Sequence, residues 1–268
     1  MIHTPTQQGA ALFIPHGGGP MPLLGDKSHQ DLIAFLNNIE HLIKKPQAIL
    51  IISAHWEEKV VTVTSNPAPG LIYDYYGFPE HTYQIKYPAP GDPKLANKVI
   101  ELLTAKGIDA VLEPQRGFDH GMYVPLKLMY PDADIPCVQL SLMGSLDAQV
   151  HIDIGKALNS LLDDNILIIG SGLSFHNMKE FRSTQENDSK NEAFETWLID
   201  TCTSETTNTQ QKENALAQWH NAPFARYCQP REEHLLPLHV CMGAGSKTAQ
   251  LVFDKKVIGK KTCAFLWK

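Results

Sequence analysis

Twelve histidines stand in this 268-residue sequence, and five of them share an address that the other seven lack. His16 closes the apolar run Ala11-Leu12-Phe13-Ile14-Pro15 and precedes Gly17-Gly18-Gly19-Pro20, a strand end where glycines let backbone come close to a ligand. His55 ends a second apolar run, Ala48 to Ala54, and precedes Trp56-Glu57-Glu58. His176 follows a third, Ile166 to Ile169, within Gly170-Ser171-Gly172-Leu173-Ser174-Phe175-His176-Asn177. His120 sits in the glycine-flanked loop Arg116-Gly117-Phe118-Asp119-His120-Gly121, just before an apolar helix. His234 opens the helical run Arg231 to His239, in which Glu233 and His234 differ by about 100° around the axis, so that only one of them is expected to face a site. Taken singly, each address also fits a tight turn or a surface loop. Taken together, neutral imidazoles converging on one cleft are what a first-row divalent metal such as Fe(II), Zn(II) or Mn(II) requires. His3, His29, His41, His81, His151, His220 and His239 lack the glycine-rich, strand-end context and read as surface or satisfied core residues.

Other chemistries find no support. The chain has no H-E-x-x-H, no P-loop and no G-x-S-x-G, and Gly117 to Gly121 is not a dinucleotide fingerprint. Gly17-Gly18-Gly19 makes a weak phosphate cradle, because Pro20 lacks an N–H. From the residues alone the reading is a metal-dependent enzyme of open reaction type.

The elements that must position these histidines alternate along the chain. Strand patterns fall at 11–15, 48–55, 59–64, 109–112, 136–142, 165–170, 250–253 and 262–267, and amphipathic helices at 28–44, 93–106, 146–162, 191–203 and 232–242. That rhythm predicts a single α/β domain over 1–268, with a central mixed, largely parallel sheet covered by helices on both faces and sites beyond the strand ends. Asn66 to Pro90 breaks the rhythm: five prolines and five tyrosines make it too punctuated for a helix and too aromatic for a linker, so an ordered lid or rim is expected. Phe181 to Lys190 reads as a solvated loop.

Bulk properties narrow the partners. A formal charge of −6 without a basic run argues against nucleic acid. No apolar run approaches the roughly 18–20 residues of a membrane span, and Met1 to Ala10 does not resemble a signal peptide. Five scattered cysteines, Cys137, Cys202, Cys228, Cys241 and Cys263, read as free structural thiols in a reducing cytoplasm.

The five histidine motifs, with Glu233-His234-Leu235-Leu236-Pro237-Leu238 running into Met242-Gly243-Ala244-Gly245, make the chain from about residue 11 onward resemble the DOPA-dioxygenase branch of the class III extradiol ring-cleaving dioxygenases, within the LigB superfamily. The resemblance implies one non-haem divalent metal held by His16, His55 and His234, Fe(II) for turnover, with Zn(II) an acceptable occupant. It implies His176 as catalytic base and His120 as acid or orienter, with His176 alternatively a fourth ligand in a zinc-loaded form. The protocatechuate-cleaving branch uses a glutamate where this chain has His234; three neutral ligands leave the full +2 charge to a catecholate. The implied reaction is O2-dependent opening of a small DOPA-like aromatic diol to a semialdehyde, with both oxygen atoms incorporated, by a monomer or small homo-oligomer. Tyr73, Tyr75, Tyr76 and Phe78 are candidates to wall off the ring, the alternative being that they pack a meandering loop onto the core, and Asp119, Arg116 and Glu57 either orient histidines or are merely solvated loop residues. A zinc hydrolase and a non-catalytic metal- or partner-binding member of the same fold are the alternatives.

Overall fold

The eight residues Ala10 to Phe13 and Ile49 to Ile52 do not alternate between core and solvent, since all eight are buried; the runs are apolar on both faces because both faces of their sheet are covered. In the computed structural model, residues 9–182, 188–245 and 248–268 are described, so His3 and residues 183–187 of the polar stretch lie outside them. The strands are β1 Ala10–Pro15, β2 Ala48–Glu58, β3 Val61–Thr64, β4 Ala110–Glu113, β5 Cys137–Met143, β6 Ile166–Gly172, β7 Gln250–Val257 and β8 Lys260–Trp267. They form one eight-stranded sheet in the order β4-β3-β5-β2-β6-β1-β8-β7. β5, β2, β6 and β1 run parallel, as do β3 and β4, while β3 meets β5, and β8 meets β1 and β7, in antiparallel fashion.

Alternation sorts the strand residues into two cores. Ala11, Phe13, Leu50, Ile52 and Ile168 pack under the helices α2 Pro93–Thr104, α4 Ala148–Leu158, α5 Ser189–Thr203 and α8 Leu236–Gly245. Leu12, Ile14, Ile49, Ile51, Leu167 and Ile169 pack under α1 Gln30–Asn37 and α3 His120–Met129. The expected doubly covered sheet is therefore present. Among the described residues no helix is long and apolar enough to cross a membrane, and all five cysteines are free and buried.

Several elements differ from expectation, among them β2, expected over 48–55 but continuing to Glu58. The helix expected over 28–44 is α1 flanked by single 3-10 turns at Lys27–His29 and Ile39–His41. The late helix begins at Leu236 rather than 232, with Pro237 in its first turn, where a missing N–H costs nothing; His234 lies in the turn before it. Two further helices, α6 Thr209–Ala217 and α7 Ala225–Cys228, were not foreseen. α6 is too polar to show an apolar stripe, but Asn208 and Gln211 form a capping box at its start.

Candidate metal centre

β2, β6 and β1 are adjacent and parallel, so their C-terminal ends open on the same edge of the sheet. His16 is the residue after β1, and its N–H donates to the Gly172 carbonyl at the end of β6. His55 stands in a bulge of β2: Ile52 pairs with Leu140 and Glu57 with Leu142, so the intervening residues of β2 outnumber those of β5 and turn His55 out of the ladder. His176 follows β6, its N–H bonded to the Cys228 carbonyl. His120 is the first residue of α3 and His234 lies two residues before α8. Two glycines allow these parts to meet. A Cβ on Gly172 would lie 2.1 Å from the His234 carbonyl oxygen, and one on Gly121 would lie 2.5 Å from Ser53 Oγ and 3.1 Å from the His55 ring.

The far nitrogen of four of the five rings meets a group that decides where its proton sits. Ser171 Oγ donates to the Gly121 carbonyl at 2.5 Å, so it accepts from His16 Nδ1 at 3.1 Å, leaving Nε2 of neutral His16 bare. Asp74 Oδ1 accepts from His120 Nδ1 at 2.8 Å. Glu233 Oε1 lies 3.1 Å from His234 Nδ1 and 3.4 Å from His176 Nδ1, and those two rings stack at 3.4 Å between centres and 15° between planes. One carboxylate thus serves two imidazoles. His55 Nδ1 is 3.8 Å from Asp74 Oδ2, an ion-pair contact rather than a hydrogen bond.

The donor set fits a divalent ion. Two nitrogens each bonded at about 2.1 Å, at angles between octahedral and tetrahedral, lie roughly 3.0–3.4 Å apart; His16 Nε2 and His55 Nε2 are 3.1 Å apart. Ring centres of such ligands lie roughly 4.5–5.2 Å apart. Those of His16, His55 and His234 are 4.8, 5.0 and 5.2 Å apart, close to an equilateral triangle. Nitrogens of His16, His55 and His120 fall within 4.8 Å of one another, and so do ligand atoms of His176, Glu233 and His234. The His120 ring is 4.0 Å from that of His55 and 5.6 Å from that of His16.

Electrostatics favours neutral, ligating rings. Burial, then repulsion among the neighbouring imidazoles, holds His16 and His55 well below the ordinary histidine value. The same causes, in the same order, bring His234 down to about 3 although Glu233 opposes them. Burial would raise the Glu233 carboxyl, but hydrogen bonds from His176 and His234 outweigh it and hold the group far below the usual carboxylate range. Asp74 behaves likewise, its burial outweighed by His120.

Residues 10–265 match the family model described as the catalytic LigB subunit of aromatic ring-opening dioxygenase. The chain belongs to the LigB family. Dioxygenase tasH of Hapsidospora irregularis is 37% identical to this LigB chain over 98% of it and 87% of the relative. The 4,5-DOPA dioxygenase extradiol of Beta vulgaris is 40% identical over 89% of this chain and 87% of the relative. The crystal structure of an uncharacterized protein from Escherichia coli K12 superposes with a TM-score of 0.78 at 28% identity, covering 97% of this chain and 100% of the other. The molecule is accordingly an enzyme, an extradiol ring-opening dioxygenase.

All five histidines singled out in the sequence converge in this LigB centre, but the residues expected to orient them do not touch the rings. Asp119 is fully buried and accepts from Ser53 Oγ, Arg116 and Gln139; Ser53 Oγ in turn accepts the His55 N–H, so Asp119 steadies backbone rather than an imidazole. Arg116 also lies over the Trp56 ring at 4.6 Å. Glu57 is held by Arg231 through two bonds of 2.5 and 2.6 Å. The orienting groups are Ser171, Asp74 and Glu233. Glu233 and His234 both face the centre, contrary to the one-or-the-other expectation, because the turn before α8 lacks helical spacing. Of the aromatic residues, Tyr75 reaches the centre, its ring 5.8 Å from His120, whereas Tyr76 is 92% exposed and points away. His29, set among the seven ordinary histidines, is fully buried one layer out: Nε2 accepts the Gly18 N–H at 3.0 Å and Nδ1 donates to Asp26.

Proposed function

We propose that this enzyme opens the ring of a small DOPA-like catechol, with His16, His55 and His234 holding one divalent ion, His176 as base and His120 beside it as proton donor or orienter. The observation that carries the reading is the near-equilateral triangle of three imidazoles with His176 stacked on its His234 corner. The ion, Fe(II) for turnover in this reading, supplies Lewis acidity toward the diol oxygens and an electron path to O2, its +2 charge uncancelled by three neutral ligands. His176, with Nδ1–H directed at Glu233, turns a bare Nε2 the same way as the stacked His234 and accepts a proton from a diol hydroxyl there. Glu233 then faces the imidazolium that results. Tyr75 and Phe78, ring centres 5.5 Å apart, wall the His120 side and limit water. Relatives named 4,5-DOPA dioxygenase extradiol support the substrate class.

The test is anaerobic loading with Fe(II) and ascorbate, followed by catechols and then O2. The expected result is O2 uptake with a yellow semialdehyde; turnover of the Zn(II) protein without O2 would instead mark a hydrolase. His16→Ala, His55→Ala and His234→Ala are each expected to abolish stoichiometric metal, while His176→Ala keeps metal and loses turnover. Equal metal content in all four would overturn the assignment of ligands and base.

A further inference from the structure

The aromatic segment between β3 and α2 brings a single carboxylate to the centre, that of Asp74. Its Oδ1 accepts two bonds from the same residue, the His120 backbone N–H at 3.0 Å and His120 Nδ1 at 2.8 Å. Its other oxygen, Oδ2, lies 3.8 Å from His55 Nδ1. The first bond caps an unpaired N–H at the start of α3 and sets a negative charge at that helix's positive end. The second has a further consequence. An ionised carboxylate only accepts, so the proton of neutral His120 must be on Nδ1 and Nε2 must be bare toward the other imidazoles.

We propose that Asp74 is a positioning residue of the dioxygenase centre: it fixes the Nδ1–H tautomer of His120 and ties the aromatic segment to the metal-binding histidines as one unit. The inference rests on the metal-centre reading above, but its test does not need ring cleavage. The segment is built to hold Asp74 in place. Tyr75 Oη donates to the Thr82 carbonyl at 2.6 Å and receives a bond from Tyr123 Oη at 3.0 Å, and Tyr73 Oη donates to the Ile85 carbonyl at 2.7 Å. The neighbours of Asp74 on either side are thus anchored, one of them to α3 itself. A bare His120 Nε2 faces the other imidazoles as a hydrogen-bond acceptor.

The measurement is the proton location on His120 in Zn(II)-loaded, 15N-histidine-labelled protein without catechol, read from two- and three-bond 1H–15N couplings. Wild type is expected to carry the proton on Nδ1. Asp74→Ala is expected to shift His120 to a mixture or to the Nε2–H form and, because it frees the segment beside the histidines, to weaken Zn(II) binding in chelator competition by less than the loss of a ligand histidine does. Asp74→Asn, whose amide oxygen can still accept both bonds, is expected to restore the Nδ1–H tautomer and most of the affinity. His151, whose Nδ1 donates to the Asp147 carbonyl at 2.6 Å, reports within the same spectrum that the variant is folded. An Nε2–H His120 in wild type, or an unchanged His120 tautomer in folded Asp74→Ala, overturns the proposal. The tautomer pattern as expected in a protein that opens no catechol ring would leave the proposal standing and overturn the functional reading instead.

Discussion

One carboxylate facing two stacked imidazoles sets the proton inventory of the site. Glu233 Oε1 faces both His234 Nδ1, at 3.1 Å, and His176 Nδ1, at 3.4 Å, and Arg231 Nη1 lies 3.4 Å from its second oxygen. Glu233→Gln keeps the size and one acceptor oxygen but removes the anion, so with His176 in the proposed role of base, the proton it takes up during turnover meets no countercharge. The expected outcome is a fall in kcat of about 10- to 100-fold, with a smaller loss of Zn(II) affinity, because His234 keeps its bond to the amide oxygen while His176 loses its charge partner. Steady-state kinetics and chelator competition on the same preparation check this. Equal falls in both quantities would mean that Glu233 acts on the metal ligand alone.

At the scale of elements, the centre exists because strand ends, a bulge and two helix approaches coincide within a few ångströms. The histidines that follow β1 and β6 were readable in the sequence, since a buried parallel strand is a run of apolar residues and its end is easily seen: His16 after Pro15, His176 shortly after Gly172; His55 was found at the end of an apolar run, but β2 does not end there and continues to Glu58. What orients the histidines was not readable, because Ser171 meets His16 across 155 residues and Asp74 meets His120 across 46, pairings that no local pattern encodes. Glu233 adjoined His234 and was still discounted, since the run to His239 has helical spacing although its first residues form a turn. The bulge at His55 was equally hidden, being a property of how β2 pairs with β5 rather than of β2. Gly172 is the element-scale test. It allows β6 to touch the turn that carries His234, whose carbonyl also accepts the Leu173 N–H at 3.0 Å. In Gly172→Ala the added methyl meets backbone, which cannot swing aside, so a loss of about 1–3 kcal/mol is expected in denaturant unfolding, together with weaker metal binding through a displaced His234. Unchanged stability would show that the turn shifts freely.

Over the whole molecule, buried titratable groups outside the centre pull stability in opposite directions with pH. His151 is fully buried, with Nδ1 donating to the Asp147 carbonyl and Nε2 accepting the Met143 N–H at 3.1 Å; burial, the largest cause, brings it down to about 4 from 6.5. A lowered histidine keeps its contribution above pH 6.5 and loses it as pH falls toward 4, because the unfolded chain takes up a proton that the folded one refuses. Glu195 on α5 has the reverse sign. It is fully buried beside Ser174 and Cys263, with Lys261 lowering it and Asp254 raising it, and burial, the largest cause, brings it up to about 7 from 4.5. A raised carboxyl contributes below pH 4.5 and loses that contribution as pH rises to 7, where the fold must ionise a buried acid. Glu195 opposes the His151 slope between pH 4.5 and 6.5, whereas burial lowers His29 and His239 as well and adds to it. Glu195→Gln removes only the opposing slope. It is expected to match wild type in urea unfolding of the metal-free protein at pH 4.5 and to exceed it by about 1–3 kcal/mol at pH 8, from a shift worth about 1.4 kcal/mol per unit. The variant should also lose stability more steeply than wild type as pH falls from 6.5 to 4.5, since the opposing slope is gone. A constant difference between wild type and variant from pH 4.5 to pH 8 would show that Glu195 does not titrate in this range and that the amide acts only through packing.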